Sequence, residues 1–226
     1  MDPRKLWTQQ QTQLRKLLST RENFAEGIRL FLQQHAAAHS IEISGGEGWS
    51  LQDEALAGLR DDQIRFCPRK GNSIAWLLWH TARIEDVTLN FLVLGRPQVF
   101  VREDWPSRLG TPLREVGNAM DAAGLTRFSA QVCVGALKEY RAAVGRSVRA
   151  GMLNLQPAQL REIVPAITVQ CLVEDGSIPP EIDWLARFYS ERPKSFFLTR
   201  ITSHNFLHIQ EAYRLHAQLL RSSVAA

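Results

Sequence analysis

The chain has 226 residues, 45% of them hydrophobic and 22% charged, which is ordinary globular usage with enough apolar material for a sizeable core and too much for a disordered segment. Its 27 Lys and Arg against 23 Asp and Glu leave a net charge of +4, but the basic residues are scattered rather than gathered into runs, which argues against a phosphate-tracking surface and so against nucleic acid as a partner. The three cysteines, Cys67, Cys133 and Cys171, form no CxxC pair and read as reduced thiols of a cytoplasmic protein.

Helical periodicity dominates from the start. The opening MDPRKLWTQQQTQLRK has no apolar stretch of the kind a secretory signal needs, and residues 1–21 read as a helical N-terminal extension to a single domain over 22–226. The first long helix covers about 22–39, with Phe24, Ile28, Phe31, Leu32 and His35 in phase, and the glycine-rich ISGGEGWS at 43–50 ends it. Ser50 then caps a short helix through Leu51, Ala55, Leu56 and Leu59, and FCPRKG interrupts the period.

A second long helix begins at Asn72 or Ser73, both good N-caps, and runs to Leu94, where Gly95 and Pro97 stop it. Arg83, Glu85 and Asp86 at its middle exclude it as a membrane span. Residues 96–125 show no sustained period and read as a long connection. The third long helix is expected over about 126–152, with Cys133, Leu137, Tyr140, Val144 and Val148 on one stripe. Between 154 and 191 the β-branched residues of 164–173 allow a strand, followed by the turn DGSIPP and a short helix at 182–189. The fourth long helix starts with Pro193 in its first turn and continues to about Leu220. Four long helices joined by irregular crossovers imply an all-α bundle, in which sites are built from side chains on facing helices.

Histidines fall on two of the core-facing stripes. At 100° per residue, His80 lies with Leu77, Thr81, Ile84, Val87 and Phe91 on the second helix, and His204, His208 and Glu211 lie with Ile201, Leu215 and Leu219 on the fourth. Buried polar groups cost free energy unless each finds a partner, and one metal ion can partner several imidazoles at once. His204 and His208, spaced i, i+4, can both reach one ion, and an inward histidine from a second helix completes a set. The second HxxxH pair, His35 and His39, ends the first helix, where histidines suit the negative end of the helix dipole without any metal. His216 falls at the edge of its stripe, toward solvent. Glu211 has four open roles: a fourth ligand, an acceptor that fixes an imidazole tautomer, a general base, or a salt-bridge partner for Arg83. Trp76 and Trp79 could line a substrate pocket or belong to the core or to a dimer surface.

The segment LAGLRDDQIRFCPRKGNSIAWLLWHTARIEDVTLNFLVLGRP, residues 56–97, resembles the DinB and YfiT-like superfamily in its short helix, its proline-containing loop, its NS-aWLlWH helix start and the acidic pair after the histidine. SHNFLHIQEAYRL, residues 203–215, is similar to that family's closing helix with its HxxxH pair. The resemblance spans about 22–220. It implies a four-helix bundle in up-down-down-up order with long crossovers and additional short helices, often a homodimer. It also implies a three-histidine divalent metal site, with His80 as first ligand and His204 and His208 as the pair. Characterised relatives include thiol-dependent S-transferases and isomerases that use bacillithiol or mycothiol; many others are assigned only as metal-dependent hydrolases. The chain departs from the pattern in having Gln210 and Glu211 where many relatives carry Gly-Gln, and in the length of the stretch between His80 and His204.

The resulting expectation is a metal-dependent enzyme of hydrolase or thiol S-transferase type, using zinc, nickel or iron. Its substrate would be a small molecule, with a low-molecular-weight thiol as a possible co-substrate and no membrane partner. Imidazole accepts all three metals, so the sequence does not choose between them. The alternative is a non-catalytic helical stress-response or binding protein whose histidines are structural.

Overall fold

Side-chain caps and a glycine stop set key helix boundaries in the computed structural model, which describes residues 3–46 and 48–224. Helix α1 (Pro3–Leu18) precedes α2 (Phe24–Ala37). The Ser50 hydroxyl accepts from Asp53 N at 2.9 Å to open α3 (Leu51–Leu56), and α4 (Asp61–Arg65) follows. Ser73 accepts from Trp76 N at 3.0 Å at the start of α5 (Ile74–Glu85), which continues as a π-helical stretch, Asp86–Val93, until Gly95 turns the chain with φ +63°. The crossover carries α6 (Val99–Arg102), α7 (Trp105–Leu109) and α8 (Ala122–Gln131) into α9 (Val134–Met152). Then come α10 (Ala166–Glu174), α11 (Asp183–Tyr189) and the long closing helix α12 (Lys194–Val224). Among the described residues there is no strand, only an isolated bridge between Ile163 and Pro193. No helix among them is long and apolar enough to cross a membrane.

The helices α2, α12, α5 and α9 touch in that cyclic order, with α9 closing back on α2, so each long helix packs between two others in a four-helix bundle. Leu77, Trp79, Tyr140, Leu198 and Ile209 are wholly buried in its core. The extension predicted for residues 1–21 forms α1 and lies across α2 and α12. Its Trp7 stacks on Phe206 with ring centroids 4.1 Å apart, and Gln11 Nε2 donates to Gln34 Oε1 at 2.7 Å and Thr202 Oγ1 at 2.9 Å.

Three expectations are corrected. The stretch 126–152 is two helices, because Val132 adopts extended angles (φ −61°, ψ 135°) and Cys133 N donates to Leu109 O at 3.0 Å instead of continuing the α8 ladder. Much of 96–125 is helical rather than an irregular connection: α6 and α7 lie inside it, and Asp121 caps α8 by accepting from Gly124 N at 2.7 Å. Residues 164–173 are not a strand. Pro165 precedes α10, whose Val169 and Leu172 are buried at helical spacing, so tertiary burial overrides the β-propensity of the branched residues.

The buried carboxylate of Asp86 ties the π stretch to the crossover. It accepts from Val99 N and Phe100 N, each at 2.9 Å, and so satisfies amides at the start of α6.

Candidate metal centre

Helix α5 delivers His80 and the facing helix α12 delivers His204 and His208, whose i, i+4 spacing stacks them on one side. One ligating nitrogen from each lies within 4.8 Å of the others, and His80 Nε2 and His204 Nε2 are 3.1 Å apart. The structure thus brings together the three histidines that the sequence singled out. His80 is buried, while His208 keeps a quarter of its side chain in solvent, so the cluster is accessible from that side.

Each ring is held from its outer edge. His80 Nδ1–H donates to the Val116 carbonyl at 2.6 Å, and Trp76 stacks on the ring at 4.5 Å between centroids. His204 Nδ1 lies 3.3 Å from Asn205 Oδ1, and His208 Nδ1 lies 3.5 Å from Glu211 Oε2. Burial, and then the proximity of His208, pushes His80 down to about 4. Burial together with the other two histidines holds His204 well below the usual imidazole range. Both are therefore neutral near pH 7, the form that ligates metal.

Glu211 is not paired with Arg83. Its Oε1 accepts from Asn72 Nδ2 at 3.1 Å and its other oxygen faces His208, whose hydrogen bond is the main reason its carboxyl lies below the usual range. Arg83 points elsewhere in the core, donating to Arg114 O at 2.8 Å and to Gln98 Oε1 at 2.9 Å. His216 is buried rather than exposed, and Trp79 is part of the core.

A second group meets one turn further along α5. His35 Nε2 lies 2.7 Å from Glu85 Oε1 and His39 Nε2 lies 2.8 Å from Glu85 Oε2, with all three side chains fully or almost fully buried. Neither histidine is exposed at a helix end, and burial pushes His39 down to about 3. Burial alone would raise Glu85, but the fields of His39 and His35 and their hydrogen bonds outweigh it and hold the carboxyl well below its usual range. Like the first group, this one has the residue types and spacing that could hold a metal ion.

The sequence reading used Glu85 to exclude a membrane span and, with Asp86, as the acidic pair of the family resemblance, but gave it no place in a site, and it did not single out Asn205. The signal for Glu85 was available: a carboxylate inside an otherwise apolar helix must find buried partners. Nothing in the local sequence marks Asn205.

A cavity of about 290 Å³ borders His204 in the groove between α5 and α12, lined among others by Ile84, Thr88, Phe188, Phe196 and Arg200. A larger hollow of about 840 Å³, between α1, α2 and the loop at Trp49, includes none of the clustered residues in its lining and lies apart from this chemistry.

The sequence model of the DinB superfamily matches residues 46–212, about three quarters of the chain, and the chain belongs to that superfamily. His80, Glu85, His204, Asn205, His208 and Glu211 fall inside the matched span, while His35 and His39 lie before it. Membership together with these histidine clusters fits a metal-binding family. No curated protein matches the chain.

Proposed function

We propose that the chain is a metal-dependent enzyme in which His80, His204 and His208 hold a divalent ion, zinc, nickel or iron, beside which a small molecule is hydrolysed or conjugated to a low-molecular-weight thiol. The observation that carries this reading is the 3.1 Å approach of His80 Nε2 to His204 Nε2. A neutral His80 that donates from Nδ1 to a carbonyl has no proton on Nε2, so its lone pair is aimed at the other imidazole. With His204 Nδ1 likewise donating to Asn205 Oδ1, two lone pairs face each other, and a cation between them removes the conflict.

Three imidazoles leave coordination positions open, the arrangement of catalytic rather than structural sites. A divalent ion bound there would supply Lewis acidity and lower the pKa of a bound water or thiol. The chain's own residues do the rest. Val116, Asn205 and Glu211 orient the three rings, and Trp76 covers the face of His80. Both Glu211 oxygens are engaged from the outside, by Asn72 and by His208, which supports an orienting acceptor rather than a fourth ligand. The cavity beside His204 accepts an apolar portion of a substrate against Ile84, Phe188 and Phe196, with the Arg200 guanidinium available to an anionic group.

Plasma-emission analysis of protein purified without an affinity tag, then reconstituted with zinc, nickel or ferrous iron and dialysed, tests the reading. One ion per chain is expected for the wild type, and loss of it in His80→Ala and His204→Ala. A wild-type protein that retains no ion, or variants that retain it fully, would overturn the assignment.

A further inference from the structure

The fully buried Glu85 carboxylate faces three side chains from two other parts of the chain: His35 and His39 at the end of α2, and Asn205 on α12, whose Nδ2 donates to Oε2 at 2.5 Å. Asn205 is also the residue whose Oδ1 meets His204 Nδ1. We propose that Glu85, clamped by His35 and His39, acts through Asn205 as a positioning residue that dictates the tautomer of His204 and so keeps its Nε2 free for the metal. The proposal rests on the three-histidine reading above and adds to it residues that lie outside that ligand set.

The logic is one of donors and acceptors. Ionised Glu85 has only acceptors, so Asn205 must turn its NH2 toward it, which leaves Asn205 Oδ1 facing His204. An oxygen acceptor at Nδ1 requires a proton there, and a neutral imidazole protonated on Nδ1 carries its lone pair on Nε2, toward His80. Without the carboxylate, Asn205 is free to turn over and donate to His204 Nδ1. His204 would then carry its proton on Nε2, hydrogen-bond to His80 Nε2 across the 3.1 Å gap, and close the site to metal. The polarity of one buried carboxylate therefore selects between an open and a closed arrangement of the same side chains.

The partners around Glu85 suit a held anion better than a metal ligand. His35 Nδ1 and His39 Nδ1 are buried with no hydrogen-bond partner among the described residues. If Nε2 of each ring donates to Glu85, Nδ1 is a bare acceptor, which is the less costly kind of orphan. If both Nε2 atoms instead ligated an ion, both Nδ1 atoms would be buried donors with no acceptor, whereas the outer nitrogen of a metal-bound histidine is normally anchored. His80 and His204 show the opposite pattern, with each Nδ1 facing an oxygen. Buried charge is balanced by Arg141, which is wholly buried, donates to Thr81 Oγ1 and Ala38 O at 2.7 Å each, and lies within the field of Glu85.

The test uses the full chain labelled with ¹⁵N-histidine, with long-range ¹H–¹⁵N correlation spectra of the metal-free protein and zinc affinity from chelator competition. Wild type should show His204 protonated on Nδ1. Asn205→Ala, which leaves the clamp on Glu85 intact, should lose that preference and bind zinc about 10–100-fold more weakly while still unfolding cooperatively. Glu85→Gln should do the same if it folds. Glu85→Gln combined with Asn205→Asp should restore both readouts, because the new carboxamide donates to the new carboxylate, whose other oxygen accepts from His204. Metal-free wild type with His204 protonated on Nε2, or Asn205→Ala with unchanged tautomer and affinity, would overturn the relay and leave the three-histidine site standing. A second equivalent of zinc that shifts the His35 and His39 nitrogens would overturn it too, since the clamp would then be a metal site. A wild type with the Nδ1 tautomer but no zinc binding would instead defeat the proposed function.

Discussion

Arg83 and Asp86 form a fully buried ion pair, Nη1 to Oδ2 3.6 Å, where α5 passes into its π stretch. Burial pulls the Asp86 carboxyl above its ordinary value even beside the guanidinium, which shows how dry the pair is. Arg83 also sits over the Phe100 ring at 4.2 Å, and Tyr140 Oη donates to Asp86 Oδ2 at 3.0 Å, so the pair locks the crossover onto the bundle. Truncating one member would strand the other charge in the core. Arg83→Met is therefore expected to cost about 3–5 kcal/mol in urea unfolding while zinc stoichiometry stays the same. A loss of less than about 1 kcal/mol would show that the pair is not the structural lock described.

Glu211→Gln separates orientation from stability at the other end of the site. The carboxylate is partly exposed, with 39% of its side chain accessible, so its interactions contribute little to folding, and unfolding should shift by no more than about 1 kcal/mol. The charge that faces His208 Nδ1 is lost, however, and zinc affinity should fall by about tenfold, the lower end for an outer partner of a ligating histidine. Unchanged affinity in chelator competition would remove Glu211 from the site altogether.

Acid should weaken the metal-free protein before any carboxylate titrates in the ordinary way. His39 is pushed from 6.5 to about 3 by burial, so between those values the unfolded chain binds a proton that the folded chain refuses. Stability contributed by neutral His39 is fully present above pH 6.5 and is lost as pH falls toward 3, at about 1.4 kcal/mol per pH unit. Glu85, held below its ordinary 4.5, adds a loss of the same sign below that value. His80 and His204 are held neutral by burial in the same way, so urea unfolding at pH 7.5 and 5.5 should show the wild type weakened by about 3–4 kcal/mol at the lower pH and His39→Gln by about 1 kcal/mol less. Equal pH sensitivity in the two proteins would contradict the assignment.

The four long helices and the three clustered histidines were legible because apolar period, caps and i, i+4 spacing are local properties of the chain. Ser50, Ser73 and Gly95 mark boundaries by chemistry that operates within a few residues. What stayed hidden is set by distant contacts. Glu85 and Asn205 are 120 residues apart, and neither spacing nor composition points from one to the other. Arg83, Glu85 and Asp86 were visible as charges inside an apolar helix, and they excluded a membrane span. Their partners come from α2, α6, α9, α12 and the crossover loops, which only the fold assembles. The break between α8 and α9 was missed for the same reason: Cys133 N finds Leu109 O on α7 rather than a partner in its own helix.

Two glycines on α9 give opposite expectations for the same substitution. At Gly135 an added Cβ meets nothing within 4 Å among the described residues, so Gly135→Ala should gain helix propensity and stabilise the fold by up to about 1 kcal/mol. At Gly145 the same carbon would lie 2.9 Å from His39 Nδ1, 3.0 Å from Ile43 Cδ1 and 3.1 Å from His39 Cε1. The propensity gain is available there too, but the His39 ring is fixed on its far side by Glu85 and cannot retreat without lengthening a 2.8 Å hydrogen bond. Overpacking of about 1–3 kcal/mol therefore outweighs a gain of no more than about 1, and Gly145→Ala should be net destabilising. Displacement of His39 should also loosen the clamp on Glu85, so zinc affinity is expected to fall in Gly145→Ala and to stay at the wild-type value in Gly135→Ala. Parallel urea unfolding and chelator competition on the two variants check both signs, and a stabilised Gly145→Ala with intact affinity would show that His39 is not held tightly enough to serve as a clamp.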